Sequence, residues 1–141
     1  MNKSSFDSSI NDLIHAVGLL VRRIRAMGPQ DFSLSETAVL KRLARDGLAT
    51  TAELARAESM KPQSMGEIIA RLEEDGLVRR TPHPTDGRQM YLQATDKGAS
   101  LLETWKAVKR TWLGRRIAEL DKEEQATLFR AAAIIKRVAE Q

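Results

Sequence analysis

The sequence contains no cysteine, so disulfide cross-links, thiol redox sensing and cysteine-ligated zinc are excluded. Long apolar segments are also missing: the run over residues 131–135 is far shorter than the roughly 20 residues that a membrane-spanning helix needs. The first twelve residues contain no apolar stretch followed by a small-residue cleavage site. We therefore expect a cytoplasmic protein that carries no secretion signal and does not enter a membrane.

Residue patterns that support catalysis are scarce as well. The two histidines, His15 and His83, fall in different predicted elements, and no histidine or carboxylate cluster has the spacing of a metal site. The chain has neither a glycine-rich phosphate-binding loop nor a G-x-S-x-G nucleophile motif. We therefore expect a protein that is not an enzyme and that needs no metal or cofactor.

The charge balance is slightly basic. Among 141 residues, 23 Lys and Arg oppose 19 Asp and Glu, which gives a net charge of +4. A basic chain is compatible with a nucleic-acid partner. Residues 33–95, however, carry nine basic and nine acidic side chains. If this segment binds DNA, the arrangement of its charges has to be responsible, because their sum is zero.

Long amphipathic helices are predicted at both ends of the chain, over residues 8–27, 95–120 and 121–141, with apolar side chains three and four positions apart. They carry more apolar surface than a small domain buries alone, which favours a homodimer. Packing of the first helix on the last two within one chain is the alternative. The predicted interface residues are Leu13, Val17, Leu101, Trp105, Trp112 and Ile135.

Three short helices are predicted between the long ones. Capping patterns of the form S/T-x-x-E begin at Ser33 and Thr50, and Pro62 suits the first turn of a third helix. A β-hairpin should follow, because residues 77–81 and 90–94 are β-compatible and an Asp-Gly pair lies in the turn between them.

This order of elements is typical of a winged helix-turn-helix, mainly α with a small β-hairpin wing. The predicted division is a DNA-binding domain over residues 33–95, an N-terminal dimerisation helix over 1–32 and C-terminal dimerisation helices over 96–141. Such a domain places its third helix in the major groove of double-stranded DNA and its hairpin along the backbone or in the minor groove.

Polar residues of the third helix and the hairpin suit that role. A glutamine can pair with adenine, a serine with several base edges, and an arginine at a hairpin tip with a narrow minor groove. A solvated helix face and an ordinary turn are the alternatives, and the zero net charge also leaves open a module that binds another protein. The candidate DNA-binding residues are Lys61, Gln63, Ser64, Glu67, Arg71, Arg79, Asp86 and Arg88, with Arg80 and His83 as further phosphate contacts.

Residues 50–98 resemble the central part of the MarR family, regulators of the multiple-antibiotic-resistance type. The matching elements are ELA in the second helix, LEEDGLVRR before the hairpin, P-x-P-x-D-G-R at its tip and ATDKG after it. The resemblance implies a triangular homodimer in which Arg88 enters the minor groove and Asp86 orients it. Gly87 stands where many members have a second arginine, and Glu67 where a neutral or basic residue is common.

The resemblance also implies a mechanism. A dimer of this kind binds a pseudo-palindromic operator as a repressor, and a small aromatic or phenolic ligand releases it from a pocket between the dimerisation helices and the DNA-binding domain. His15 and Arg45 are the candidate effector-binding residues in this chain. Because there is no cysteine, the thiol-oxidation switch of some relatives is excluded.

Overall fold

The computed structural model describes all 141 residues, as six α-helices and one three-stranded antiparallel sheet. This architecture confirms the predicted fold class, a mainly helical winged helix-turn-helix. In chain order the elements are α1 (Lys3–Ala26), α2 (Leu34–Asp46), β1 (Ala49–Thr50), α3 (Thr51–Ala57), α4 (Pro62–Glu74), β2 (Val78–Pro82), β3 (Met90–Ala94), α5 (Asp96–Ala118) and α6 (Lys122–Ala139).

The chain divides into two compact units. The central unit is Pro29–Lys106, and the terminal unit combines Met1–Gly28 with Ala107–Gln141. The first part of α5 therefore belongs to the central unit, although the sequence pattern grouped the whole helix with the dimerisation region. No helix is both long enough and apolar enough to cross a membrane.

The predicted helix starts are present with their caps. The Ser33 hydroxyl accepts a hydrogen bond from the Glu36 N–H at 3.1 Å, and the Thr50 hydroxyl accepts one from the Glu53 N–H at 3.2 Å. At α6 the capping box is complete, because Asp121 and Glu124 each accept the other's backbone N–H. These side chains satisfy amide groups that would otherwise lack a partner at the first turn of each helix.

The helix α1 is longer than the sequence pattern predicted. It begins at Lys3, where the Asn2 side chain accepts the Ser5 N–H at 2.8 Å, rather than near residue 8. Its first turn is rich in serine and contains one large apolar residue, Phe6, so the apolar period gave no indication of a helix there.

The core of the central unit is formed by α2, α3, α4 and the sheet. Its largest fully buried side chains are Leu40, Leu43, Leu54, Met65, Ile69, Leu72, Leu77 and Leu92. The apolar face of α4 contributes three of these residues, so its opposite face is left for a partner. This packing holds α4 in a defined place beside the hairpin.

The sheet has the order β1-β3-β2. The hairpin of β2 and β3 was predicted, and it pairs Val78 with Ala94 and Pro82 with Met90. The third strand, β1, was not predicted: two residues, Ala49 and Thr50, pair with β3. A strand this short has no period to detect, and only its neighbour in space makes it a strand.

A network of hydrogen bonds joins the end of α4 to the start of α5. Gly76 adopts a positive φ of 74° after α4, as expected for a terminating glycine. Its carbonyl accepts the Thr95 hydroxyl at 2.6 Å, and the Lys97 ammonium donates to the Asp75 carbonyl at 2.8 Å. Gly98 is buried beside Leu77 at this junction.

Candidate nucleic-acid interface

The first turn of α4 presents polar groups that have no partner within the chain. Lys61 is the N-cap residue and makes no capping bond with its side chain, and Pro62 occupies the start of the helix. Gln63 and Ser64 follow on the exposed surface. The first turn contains no acidic residue, so its free N–H groups and the positive end of the helix dipole face outward.

Acidic side chains lie further along the same helix. Glu73 and Glu74 end α4 and Asp75 follows, whereas Glu67 is exposed midway along the helix and forms no ion pair. The acidic side chains therefore lie away from Lys61, and two of those at the far end, Glu73 and Asp75, have arginine partners. This arrangement, rather than the zero net charge of the segment, gives the start of α4 its capacity to attract an anion.

The turn of the hairpin is shaped by His83. Its Nδ1 accepts the backbone N–H groups of Thr85 and Asp86 at 3.2 and 3.1 Å, and its ring stacks on Tyr91 with centroids 4.7 Å apart. From the sequence, His83 was expected only as a phosphate contact. A histidine whose ring accepts hydrogen bonds from backbone N–H groups two and three residues later has no distinctive sequence pattern. It therefore cannot be told from a solvent-exposed histidine by sequence alone.

Arg88 lies exposed just after this turn, and its side chain makes no hydrogen bond or ion pair within the chain. The resemblance implied that Asp86 orients the arginine side chain. In the structure the Asp86 carboxylate accepts the Arg88 backbone N–H at 3.0 Å instead. Asp86 therefore shapes the backbone of the turn and leaves the guanidinium free.

An open cleft of about 320 Å³ joins the start of α4 to the hairpin. Its lining includes Thr50, Thr51 and Pro62 together with Arg80 and Arg88 of the hairpin. The fold thus brings the start of α4 and the hairpin, which were identified separately in the sequence, to one surface.

The arginines of β2 are both engaged within the central unit. Arg79 donates to the Gln93 side-chain oxygen on β3 at 2.9 Å, and Arg80 binds the Glu73 carboxylate at 3.0 Å. Both side chains remain exposed. They can meet DNA only in competition with these partners, in contrast to Arg88.

Arg71 lies in the second half of α4 and is turned toward other parts of the central unit. Its guanidinium binds the Glu36 carboxylate at 3.3 Å, donates to the Asp31 carbonyl and lies 5.1 Å from the centre of the Phe32 ring. Its exposed side chain therefore already has partners within the chain, and its contact with DNA stays a prediction.

The predicted dimer residues fall into two groups. Leu13, Val17 and Ile135 are exposed on α1 and α6. Leu101 and Trp105 are half-buried and pack against the core of the central unit. The heptad-like spacing that predicts a seam for a partner helix therefore also serves packing within the chain, and their place in a dimer interface stays a prediction.

Trp112 lies beyond these two residues on α5, in the terminal unit. It is half-buried, and the Arg23 guanidinium of α1 lies 5.9 Å from the centre of its ring. This distance is within the range of a cation–π contact.

The two effector candidates belong to different units. His15 is exposed on α1, and Arg45, on α2, donates to the Asp46 carboxylate at 2.8 Å. This hydrogen bond lowers the pKa of Asp46 and raises the pKa of Arg45. No group of three or more His, Cys, Asp or Glu side chains has the arrangement of a metal site.

Comparisons with known proteins agree with this geometry. The family model described as "MarR family" matches residues 32–90. An uncharacterized HTH-type transcriptional regulator of Mycobacterium bovis is 37% identical over 126 residues, which cover 89% of this chain and 88% of the relative. An HTH-type transcriptional repressor of the same organism is 31% identical over 84% of this chain and 87% of its own length.

A solved structure shows the same fold with a small ligand. NadR in complex with 4-hydroxyphenylacetate is 25% identical to this chain, with a TM-score of 0.60 over 88% of this chain and 89% of NadR.

Proposed function

Because the chain belongs to the MarR family of transcriptional regulators, we propose that it is a repressor that binds double-stranded DNA as a homodimer. The operator would be pseudo-palindromic, with half-sites about one helical turn (~34 Å) apart, since a two-fold dimer presents two copies of α4. Regulation of transcription, rather than catalysis, is the activity of the family.

One observation carries the proposal. Pro62, at the start of α4, and the unpartnered Arg88 line the same cleft, which places the exposed first turn of α4 and the hairpin beside one another. Gln63 and Ser64 have side chains that pair with base edges in the major groove. Arg88 is suited to the negative potential of a narrow minor groove, and Lys61 to a phosphate beside the N-terminus of α4.

The charges of the central unit support this assignment despite their zero sum. Several acidic side chains are paired inside the unit: Glu36 with Arg71, Glu58 with Arg42, and Glu73 with Arg80. Their charge is largely offset locally. Lys61 and Arg88 have no such ion pair, so each leaves an uncompensated positive charge at the exposed surface.

Exposed apolar surface supports the homodimer. Neither α1 nor α6 contains a single buried residue, although both are amphipathic. A monomer in water would expose a continuous apolar stripe on each helix, and a second copy is the partner that the symmetry of an operator-binding protein requires. The stripes consist of Phe6, Ile10, Leu13, Ile14, Val17, Leu20 and Val21 on α1, and of Leu128, Ile135 and Val138 on α6.

Release by a small phenolic or aromatic acid is the regulatory part of the proposal. It is supported by the family and by the ligand of NadR. His15 and Arg45 remain the candidate effector contacts. If a phenolic acid binds free protein more tightly than operator-bound protein, it lowers the apparent affinity for DNA by that ratio.

The decisive experiment is a fluorescence-anisotropy titration of the full-length protein against DNA from upstream of its own gene, with a scrambled duplex as competitor. Arg88→Ala should cost about 1–3 kcal/mol of operator binding. The matched control is Arg130→Ala, because Arg130 is exposed on α6 and only bonds to Thr127. Adding 4-hydroxyphenylacetate to the preformed complex tests release.

The salt dependence separates this function from protein–protein recognition. A DNA-binding protein loses affinity with a log–log slope of about −0.9 for each phosphate that it neutralises. Equal, weak and salt-independent binding to operator and scrambled duplexes would contradict the proposal. It would favour a winged helix that binds another protein, which is consistent with the zero net charge of residues 33–95.

A further inference from the structure

Arg71 makes directed contacts with three groups outside its own helix. It forms an ion pair with Glu36 of α2 at 3.3 Å and a hydrogen bond with the Asp31 carbonyl, and its guanidinium covers the ring of Phe32. A planar guanidinium can satisfy such partners at once because its five N–H groups point in fixed directions. Arg71 thus connects α4 to the segment of chain that leads into α2.

The buried carboxylate of Glu36 has its opposite charge only in Arg71. Glu36 is only 9% exposed, and its second oxygen, Oε2, is buried with no hydrogen-bond partner. If Arg71 moved outward to a phosphate, a buried carboxylate would be left without its compensating charge. This cost favours the pairing of Arg71 with Glu36, although 46% of the Arg71 side chain is exposed.

The network continues from α4 to α5. Phe32 lies between the Arg71 guanidinium and Trp105, whose ring centroid is 5.4 Å from that of Phe32. Both aromatic side chains are half-buried against the core of the central unit. The chain before α2 therefore connects Arg71 of α4, through Phe32, with Trp105 of α5.

We infer that Arg71 is a positioning residue, which sets the orientation of α4 for DNA binding and does not itself contact DNA. The inference rests on the proposed function. Met65, Ile69 and Leu72 make apolar contacts between α4 and the core, which have no directional preference. Two side chains of α4 make directed contacts with other elements. Glu73 binds Arg80 of β2 at the end of the helix. Arg71 joins α4 to Glu36 and to the chain before α2, and we expect these contacts to resist rotation of the helix about its axis.

The substitution Glu36→Gln tests whether Arg71 positions α4 or contacts DNA itself, because the two roles predict opposite changes in operator affinity. If Arg71 bound a phosphate, removal of the competing Glu36 carboxylate would free the guanidinium and tighten operator binding. If Arg71 positions α4 through Glu36, the same change loosens the network. We expect Glu36→Gln to weaken operator binding about threefold to tenfold, in the lower part of the range for residues coupled in one network. The substitution is nearly isosteric, so the fold should be retained.

Arg71→Lys provides the second measurement. Lysine keeps the positive charge but cannot reach the Glu36 carboxylate, the Asp31 carbonyl and the Phe32 ring together. We expect Arg71→Lys to weaken operator binding to a similar degree. The ratio of the affinities for operator and scrambled duplexes should become smaller, and the slope of log affinity against log salt concentration should stay unchanged. The double variant should lose less than the product of the two single effects. Arg130→Lys is the matched control, and circular dichroism verifies folding.

The outcomes separate this inference from the proposed function. Tighter operator binding by Glu36→Gln, or a salt slope smaller by about 0.9 in Arg71→Met, would show a phosphate contact and overturn the inference alone. Wild-type affinity and specificity in both Glu36→Gln and Arg71→Lys would overturn it as well. Failure of the wild-type protein to prefer any operator would overturn the proposed function and the inference with it.

Discussion

Gly98 allows α5 to begin in direct contact with the chain that leaves α4, and replacing it with alanine should destabilise the protein. A Cβ atom at this position would lie 2.4 Å from the Leu77 carbonyl oxygen and 3.1 Å from Cδ1 of Leu40. The first of these atoms is backbone and accepts the Thr95 N–H at 3.0 Å, so it cannot move without breaking that bond.

The expected magnitude follows from two opposing effects. Alanine is favoured over glycine within a helix by roughly 1 kcal/mol, because its unfolded chain has less conformational freedom to lose. Overpacking of a rigid site costs about 1–3 kcal/mol and more when backbone has to shift. Because the steric contact is with backbone, we expect a net loss of about 2 kcal/mol, or about 6 °C in the melting temperature for a chain of this size.

Gly66→Ala is the matched control. Gly66 lies within α4 and has no atom within 4 Å of the position that a Cβ would take. The same chemical change should therefore raise stability by up to about 1 kcal/mol. Both variants are compared with wild type by differential scanning calorimetry at one protomer concentration, because dimerisation makes the melting temperature depend on concentration. A Gly98→Ala protein that melts at or above the wild-type temperature would refute the steric argument.

Three further predictions concern the apolar stripes, the hairpin turn and a surface carboxylate. Leu13→Asp and Ile135→Asp should each convert the homodimer to monomer in sedimentation velocity; retained dimers would contradict the interface. His83→Phe keeps the ring but loses the Nδ1 acceptor, so operator binding should weaken by about 0.5–1.5 kcal/mol, whereas wild-type affinity would exclude a role for this turn. Arg45→Ala should raise the pKa of Asp46 in an NMR titration, because the hydrogen bond that contributes most to lowering this pKa is lost while Arg42 remains nearby; an unchanged pKa would contradict this.

Because the pKa of Asp46 is lowered, the pH range in which this group stabilises the fold can be stated. A carboxyl group whose pKa is lower in the folded state than in the unfolded state stabilises the fold above its unfolded pKa. That contribution disappears as the pH falls through the lowered pKa of the folded state. Since Asp46 is exposed and its partner is a neighbour in sequence, solvent screens the pair, and the NMR titration is a more sensitive test than a stability measurement.

Local patterns in the sequence were sufficient for most of the fold. The starts of α2, α3 and α6, the terminating glycine at position 76 and the hairpin turn all depend on residues within four positions of one another. Such interactions form independently of what packs around them, so cap and turn residues identify them reliably. The exposed start of α4 and Arg88 at the hairpin were identified in the same way.

Interactions across long separations in sequence were decided only by the tertiary structure. Arg71 and Glu36 are 35 residues apart, and the capping pattern at Ser33 suggested a purely local role for Glu36. Trp105 has the spacing of a partner-facing seam but packs against Phe32 in the same chain. A helical period shows which side chains share a face, whereas the fold decides what that face meets. The sequence by itself therefore determined the elements and the polar groups that each one carries. The packing of the central unit decided which of those groups have partners within the chain and which remain exposed without one.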